Sequence, residues 1–141
     1  MKALKRVALA LAIYVGIVVA FEALVGFMGM RQAERGVEAG EQWLVITTTA
    51  GDGSAKSTVG AGVESAGQLY VAANHWPRAW YRRALEHPDV EVARGGERAG
   101  YRAVPVTGAE RDRIAAAYRL PWAIRLLTGF PPRSFLRLDP R

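Results

Sequence analysis

Residues 7–30 read VALALAIYVGIVVAFEALVGFMGM and contain a single charge, Glu22. As a helix these residues extend ~36 Å, enough to cross a ~30 Å hydrocarbon core. A core helix of a soluble domain would carry a polar face, and this run has almost none. Lys2, Lys5 and Arg6 precede it, and Arg31 and Arg35 follow. Residues 1–35 therefore read as one membrane-spanning helix with basic flanks. Two other readings compete. Val18-x-Ala20 satisfies the small-residue rule of a cleaved signal peptide, but the apolar run continues past it to Met30. The helix could also lie on a membrane or pack in an oligomer. Glu22 sits where a charge is costly, so its carboxyl is expected near an interface or protonated; a proton relay lacks a partner on the same helix.

The remainder divides into a polar linker, 36–42, and a body, 43–141. From residue 36 onward the chain carries 14 basic and 11 acidic residues, and Lys56 is the sole lysine. Half of the net charge of +6 therefore belongs to the helical segment. The arginines are scattered among acids, which argues against nucleic-acid binding. There is no cysteine, so a disulfide scaffold, an iron–sulfur cluster and a Cys nucleophile are excluded.

Within the body, Trp43–Thr49 is β-branched and reads as a buried strand. Gly51, Asp52 and Gly53 mark a turn. Lys56–Glu64 is a second strand weakened by two glycines, and Gln68–Asn74 a third. A helix follows, with Pro77 at its first position. Trp80, Ala84, Tyr81 and Leu85 lie along one side, with Arg82, Arg83 and Glu86 elsewhere; Pro88 stops it. Asp89–Arg94 and Arg98–Val106 are strands joined by Gly95-Gly96. Tyr101, Ala103 and Val104 are assigned inward, and Pro105 indicates an edge or bulge. Thr107 and Glu110 have capping-box spacing at the start of a second helix. Trp122–Leu127 forms a short apolar helix, either lining an acceptor entrance or packing on the barrel. Ser134–Leu138 is the last strand. The order β-β-β-α-β-β-α-α-β indicates an α+β, mainly antiparallel sheet or barrel.

No GxSxG, HExxH, Walker or GxGxxG pattern is present, and His75 and His87 are poorly placed for a shared metal. What remains is aromatic and basic material around Asn74–Arg83. Aromatic rings stack on planar ligands and Arg pairs with anions. Spacing alone favours the plainer reading, in which Trp80 and Tyr81 plug a barrel core and the arginines form a solvated helix face.

Four segments carry a resemblance: Trp43–Thr58, Gln68–Asn74, Pro77–Val92 (PRAWYRRALEHPDVEV) and Thr107–Arg111 (TGAER). Together they resemble the deazaflavin (F420)-dependent nitroreductase and quinone reductase family. That family shows T-T-x-G-R-K-S-G, a strand ending V-A-S-K, then P-A-W-Y-x-N-L-x-A-N-P-x-V-x-V, and later T-G-x-E-R. The resemblance implies a split β-barrel of about six strands with flanking helices, related to FMN-binding pyridoxamine-phosphate oxidases. It also implies hydride transfer to a quinone-like acceptor and often a homodimer. The cofactor residues it implies here are Lys56, Ser57, Thr58, Ala73, Asn74, Ala79, Trp80 and Tyr81, with F420 expected and FMN the alternative. No catalytic side chain and no metal is implied. Two departures stand out. Asp52 and Gly53 replace the Arg and Lys of the family loop, and an acid repels a phosphate. Ala73 and Asn74 replace Ser and Lys. A non-catalytic barrel that has lost its cofactor is therefore the rival reading, and a haem variant through His75 a remote one. The flanking charges slightly favour an external body, whereas a cytosolic hydride donor requires a cytoplasmic one; the body is expected on the cytoplasmic side.

Overall fold

The computed structural model describes residues 2–34, 43–74 and 79–141. The linker and His75–Arg78, including the Pro77 helix start and the His75 haem reading, lie outside these residues. Helix α1 covers Lys2–Glu34. The strands are β1 (Trp43–Thr49), β2 (Ala55–Ser65), β3 (Gln68–Ala73), β4 (Asp89–Arg94), β5 (Glu97–Pro105) and β6 (Ser134–Pro140). Helix α2 (Ala79–Glu86) joins β3 to β4, and α3 (Gly108–Ala117) and α4 (Trp122–Leu127) join β5 to β6.

All strand pairs are antiparallel and close a barrel in the order β1-β2-β3-β6-β5-β4. Alternation sorts side chains to two faces. The inner set comprises Leu44, Ile46, Val71, Val90, Val92, Ala103, Leu136 and Leu138, and Ala84 of α2 completes it as a plug. One of the two glycines that weaken β2 in the sequence, Gly60, has a packing reason. A Cβ on Gly60 would meet Val71 Cγ2 at 2.7 Å, so only glycine lets the wall close there. A second cluster lies outside the barrel, where α3 lays Ile114 over Val63, Tyr70, Ala72 and Phe135.

Four local expectations need correction. Tyr101 and Ala103 do face the interior cluster, but Val104 alternates away from it. Pro105 marks no edge: the barrel is closed, and Pro105 is the last residue of β5, opposite Leu136. The capping box does not form, since Thr107 makes no side-chain cap bond. Instead Glu110 accepts a hydrogen bond from the Tyr70 hydroxyl at 3.0 Å and faces Arg137 Nη1 at 3.3 Å. Leu85 is 44% exposed, so α2 buries only its Trp80–Ala84 side.

Arg137 Nε donates to Asp139 Oδ1 at 2.8 Å, and this bond holds the Asp139 carboxyl below its usual range. A depressed folded-state pKa gives stability that is present above the unfolded value of about 3.9 and lost as pH falls through the folded one. Asp139→Asn should therefore lower the thermal midpoint at pH 7. The gap to the parent should narrow steadily towards pH 3; a gap independent of pH would show that the carboxylate charge does not stabilise the barrel.

Helix α1 packs against β2 and touches α4. Tyr14, Val18, Phe21, Glu22, Val25 and Gly29 are half-buried, whereas the other side chains from Lys2 to Met28 are exposed. Their spacing makes one helical stripe. The Tyr14 hydroxyl donates to the Leu126 carbonyl at 2.9 Å.

Candidate functional site

Antiparallel pairing puts the end of β1, the start of β2, the end of β3, the start of β4 and the start of β6 at one end of the barrel. Helix α2 crosses that end. All eight residues singled out in the sequence therefore gather there, although they do not share one face. Thr48 pairs with Lys56 and Ile46 with Thr58, so Lys56 and Thr58 point with the inner set, towards α2. Ser57 points outward, its hydroxyl 2.9 Å from that of Thr47. Ala73 is buried at the inner rim, and Asn74 accepts a long hydrogen bond from Arg133 Nε at 3.4 Å. Ala79 opens α2. Trp80 and Tyr81 rest on the interior cluster, ring centroids 6.0 Å apart and nearly perpendicular.

The β1–β2 turn explains its own departure from the family pattern. Asp52 Oδ1 accepts the Ser54 amide at 2.9 Å and the Ser54 hydroxyl at 2.6 Å. These bonds, and more weakly the charge of Lys56, hold the Asp52 carboxyl below its ordinary range. The acid is folded into its own turn, and Gly53 beside it has φ +81, where a side chain is strained.

Arg83 belongs to the aromatic and basic cluster noted in the sequence, but it is not among the eight cofactor residues that the resemblance implies, and the plainer reading leaves it on a solvated face. Arg83 Nε donates to Thr48 Oγ1 at 2.9 Å, and the Thr48 hydroxyl donates to the Lys56 carbonyl at 3.2 Å. Thr48 is buried, so this link ties α2 to the barrel rim and sets a second cation near Lys56. No carboxylate forms an ion pair with either cation among the described residues. The signal was present: Arg83 follows Trp80 by three residues and so shares its side of the helix. It also stands where the family motif has Asn.

The rim combines two cations, hydroxyls and aromatic walls, which suits a planar ligand with an anionic tail. It offers no nucleophile–base pair, and no group of three metal-ligating side chains occurs among the described residues. A separate cavity of about 320 Å³, lined by Trp43, Val63, Glu64, Arg94 and Tyr118 among others, contains none of the rim residues. Helix α4, Trp122–Leu127, has no buried residue and lies against α1.

The profile of a family described as F420H(2)-dependent quinone reductase matches residues 25–124. No curated protein gives a significant match. Among solved structures, an F420-H2 dependent reductase (FDR-A) is 20% identical at a TM-score of 0.55, over 72% of this chain and 96% of its own. A chain described as a domain-swapped dimer is 20% identical at TM-score 0.58, over 77% and 95%. A pyridoxamine 5'-phosphate oxidase-like protein from Listeria innocua is 15% identical at TM-score 0.51, over 71% and 84%. At these identities the structures establish the split-barrel fold.

Proposed function

The chain belongs to the F420H(2)-dependent quinone reductase family, and on that footing we propose that it is a membrane-held oxidoreductase passing a hydride from reduced F420 to a quinone or similar apolar acceptor. The observation that carries this reading is the match over residues 25–124, which takes in the β1–β2 turn, β3 and all of α2. When bound, the deazaflavin supplies the hydride chemistry; the chain binds and orients. Lys56 and Arg83 hold the anionic tail at the barrel rim. Thr58 and Asn74 offer polar edges, Ser57 lies on the outer face of β2 and supports the rim only through Thr47, and Ala73 and Ala79 leave room beside them. Trp80 and Tyr81 wall the planar ring. FMN would use the same rim, but the family match favours the deazaflavin.

The apolar α1 supplies the motive for a quinone, since it confines the enzyme to the layer where quinones dissolve. The body lies on the cytoplasmic side, where a soluble hydride donor is supplied. A domain-swapped dimer among the similar structures supports a homodimer. Anaerobic mixing of the protein and reduced F420 with a short-chain quinone tests the reading. Reoxidation of the cofactor should be accelerated by the protein; equal rates with and without protein would overturn it.

A second reading is favoured by one observation, the carboxylate of Asp52 where the family loop is basic. The barrel would then bind a lipid or small hydrophobe without catalysis. Asp52→Arg separates the two. In a reductase it should raise F420 affinity about tenfold through an added charge-assisted contact, while costing some thermal stability through the lost Ser54 bonds. Unchanged affinity would support the binding-protein reading.

A further inference from the structure

Docking on the barrel changes what α1 can do. The half-buried stripe runs from Tyr14 to Gly29, through the middle of the apolar run. Gly129, with φ +69, lets α4 come close: a Cβ there would meet Val18 Cγ1 at 3.0 Å. While this contact holds, the barrel flank lies beside the part of α1 that would occupy the hydrocarbon centre of a crossing helix. Glu22, the one charge in the run, lies on the barrel-facing stripe. The outward surface of residues 7–29 is therefore free of charge.

That surface continues onto α4. Trp122 is 73% exposed and Phe130 53%, and the Tyr14–Leu126 bond fixes α4 against α1. Cations border the apolar area. The Arg125 guanidinium lies 5.6 Å from the centre of the Phe130 ring, and that of Arg31 lies 4.8 Å from Phe27. From Arg113 to Leu138 the chain carries no acid; Arg133 and Arg137 are bonded to groups of the barrel, whereas Arg119 and Arg125 are exposed. An apolar strip with exposed Trp and Phe, rimmed by Arg and Lys, matches a bilayer interface rich in anionic headgroups.

We infer that α1, docked on the barrel, lies in the plane of an anionic membrane together with α4, and anchors the barrel from one side without crossing. Trp122 and Phe130 enter the acyl boundary beside α1, and the flanking arginines meet the headgroups. This surface does not depend on which cofactor the barrel holds.

The absence of cysteine gives a clean test. Lys2→Cys and Ala109→Cys are expressed singly, and sealed membrane vesicles are treated with an impermeant maleimide before and after detergent. An in-plane α1 leaves both positions reactive on the same side. A crossing helix leaves one protected until detergent is added, which would overturn the inference. In a second arm, purified protein is mixed with phosphatidylcholine vesicles containing or lacking phosphatidylglycerol. Trp122→Ala/Phe130→Ala should lower binding to the anionic vesicles about tenfold or more, with its thermal midpoint unchanged. Equal binding by parent and variant would contradict the role of α4, and equal binding to both vesicle types would contradict the anionic requirement.

Discussion

Arg83→Gln is expected to bind F420 about 10- to 100-fold more weakly than the parent while the barrel stays folded. The glutamine amide can still donate to the Thr48 hydroxyl that Arg83 Nε reaches at 2.9 Å, so α2 keeps its tie to the rim and only the charge is removed. A hydrogen bond to a charged group contributes about 1.5–3 kcal/mol, and each 1.4 kcal/mol is a factor of ten. Arg83→Lys keeps the charge and should retain most of the affinity. Salt gives an independent check, because screening weakens a charge contact. Raising ionic strength should weaken the parent more steeply than Arg83→Gln. Isothermal titration of the three proteins at two salt concentrations measures this. Equal affinities for parent and Gln variant would leave Arg83 as a pin for α2, and the anion grip would fall to Lys56 alone.

Leu136→Ala should be the most damaging truncation in stability terms. Leu136 is fully buried in β6, between Val71 of β3 and Pro105 of β5. It belongs to the inner cluster that α2 plugs. Truncating a buried leucine costs about 2–5 kcal/mol, because the cavity collapses only partly. For a body of this size the thermal midpoint should fall by more than about 10 °C. Leu85→Ala, on the exposed side of α2, removes the same atoms from a solvated position and should change stability by no more than about 0.5 kcal/mol. Circular dichroism melts of both variants compare them. Similar small shifts would mean that the barrel interior is not the seat of stability.

The element order was legible in the sequence because its signals are local. WLVITTT and DVEVAR carry their own alternation, and Asp52-Gly53, Ala66-Gly67 and Gly95-Gly96 fix short turns between paired strands. Closure was less so. Pairing of Val45–Thr47 with Glu91–Ala93 joins segments more than forty residues apart; element order leaves an open sheet and a barrel equally allowed, and the family resemblance decides for the barrel. Long-range competition also explains the lost capping box: Tyr70 and Arg137 outbid the backbone for Glu110. The motif points to eight residues that the fold gathers at one end of the barrel, whereas the tie of Arg83 to Thr48 is not legible, because an arginine on a short helix looks solvated until Thr48 is seen beneath it. The docking stripe of α1 was hidden for a different reason. Tyr14, Val18, Phe21 and Val25 are as apolar as the residues facing outward, so hydrophobicity alone could not tell the barrel side from the lipid side.

Equilibrium titration of the purified protein with F420 and, separately, FMN tests the central assignment most directly, read by tryptophan fluorescence and cofactor absorbance. F420 should bind saturably with a Kd of about 10 μM or tighter, near −7 kcal/mol, and FMN more weakly. Binding of neither below millimolar concentration would contradict a deazaflavin site on this barrel.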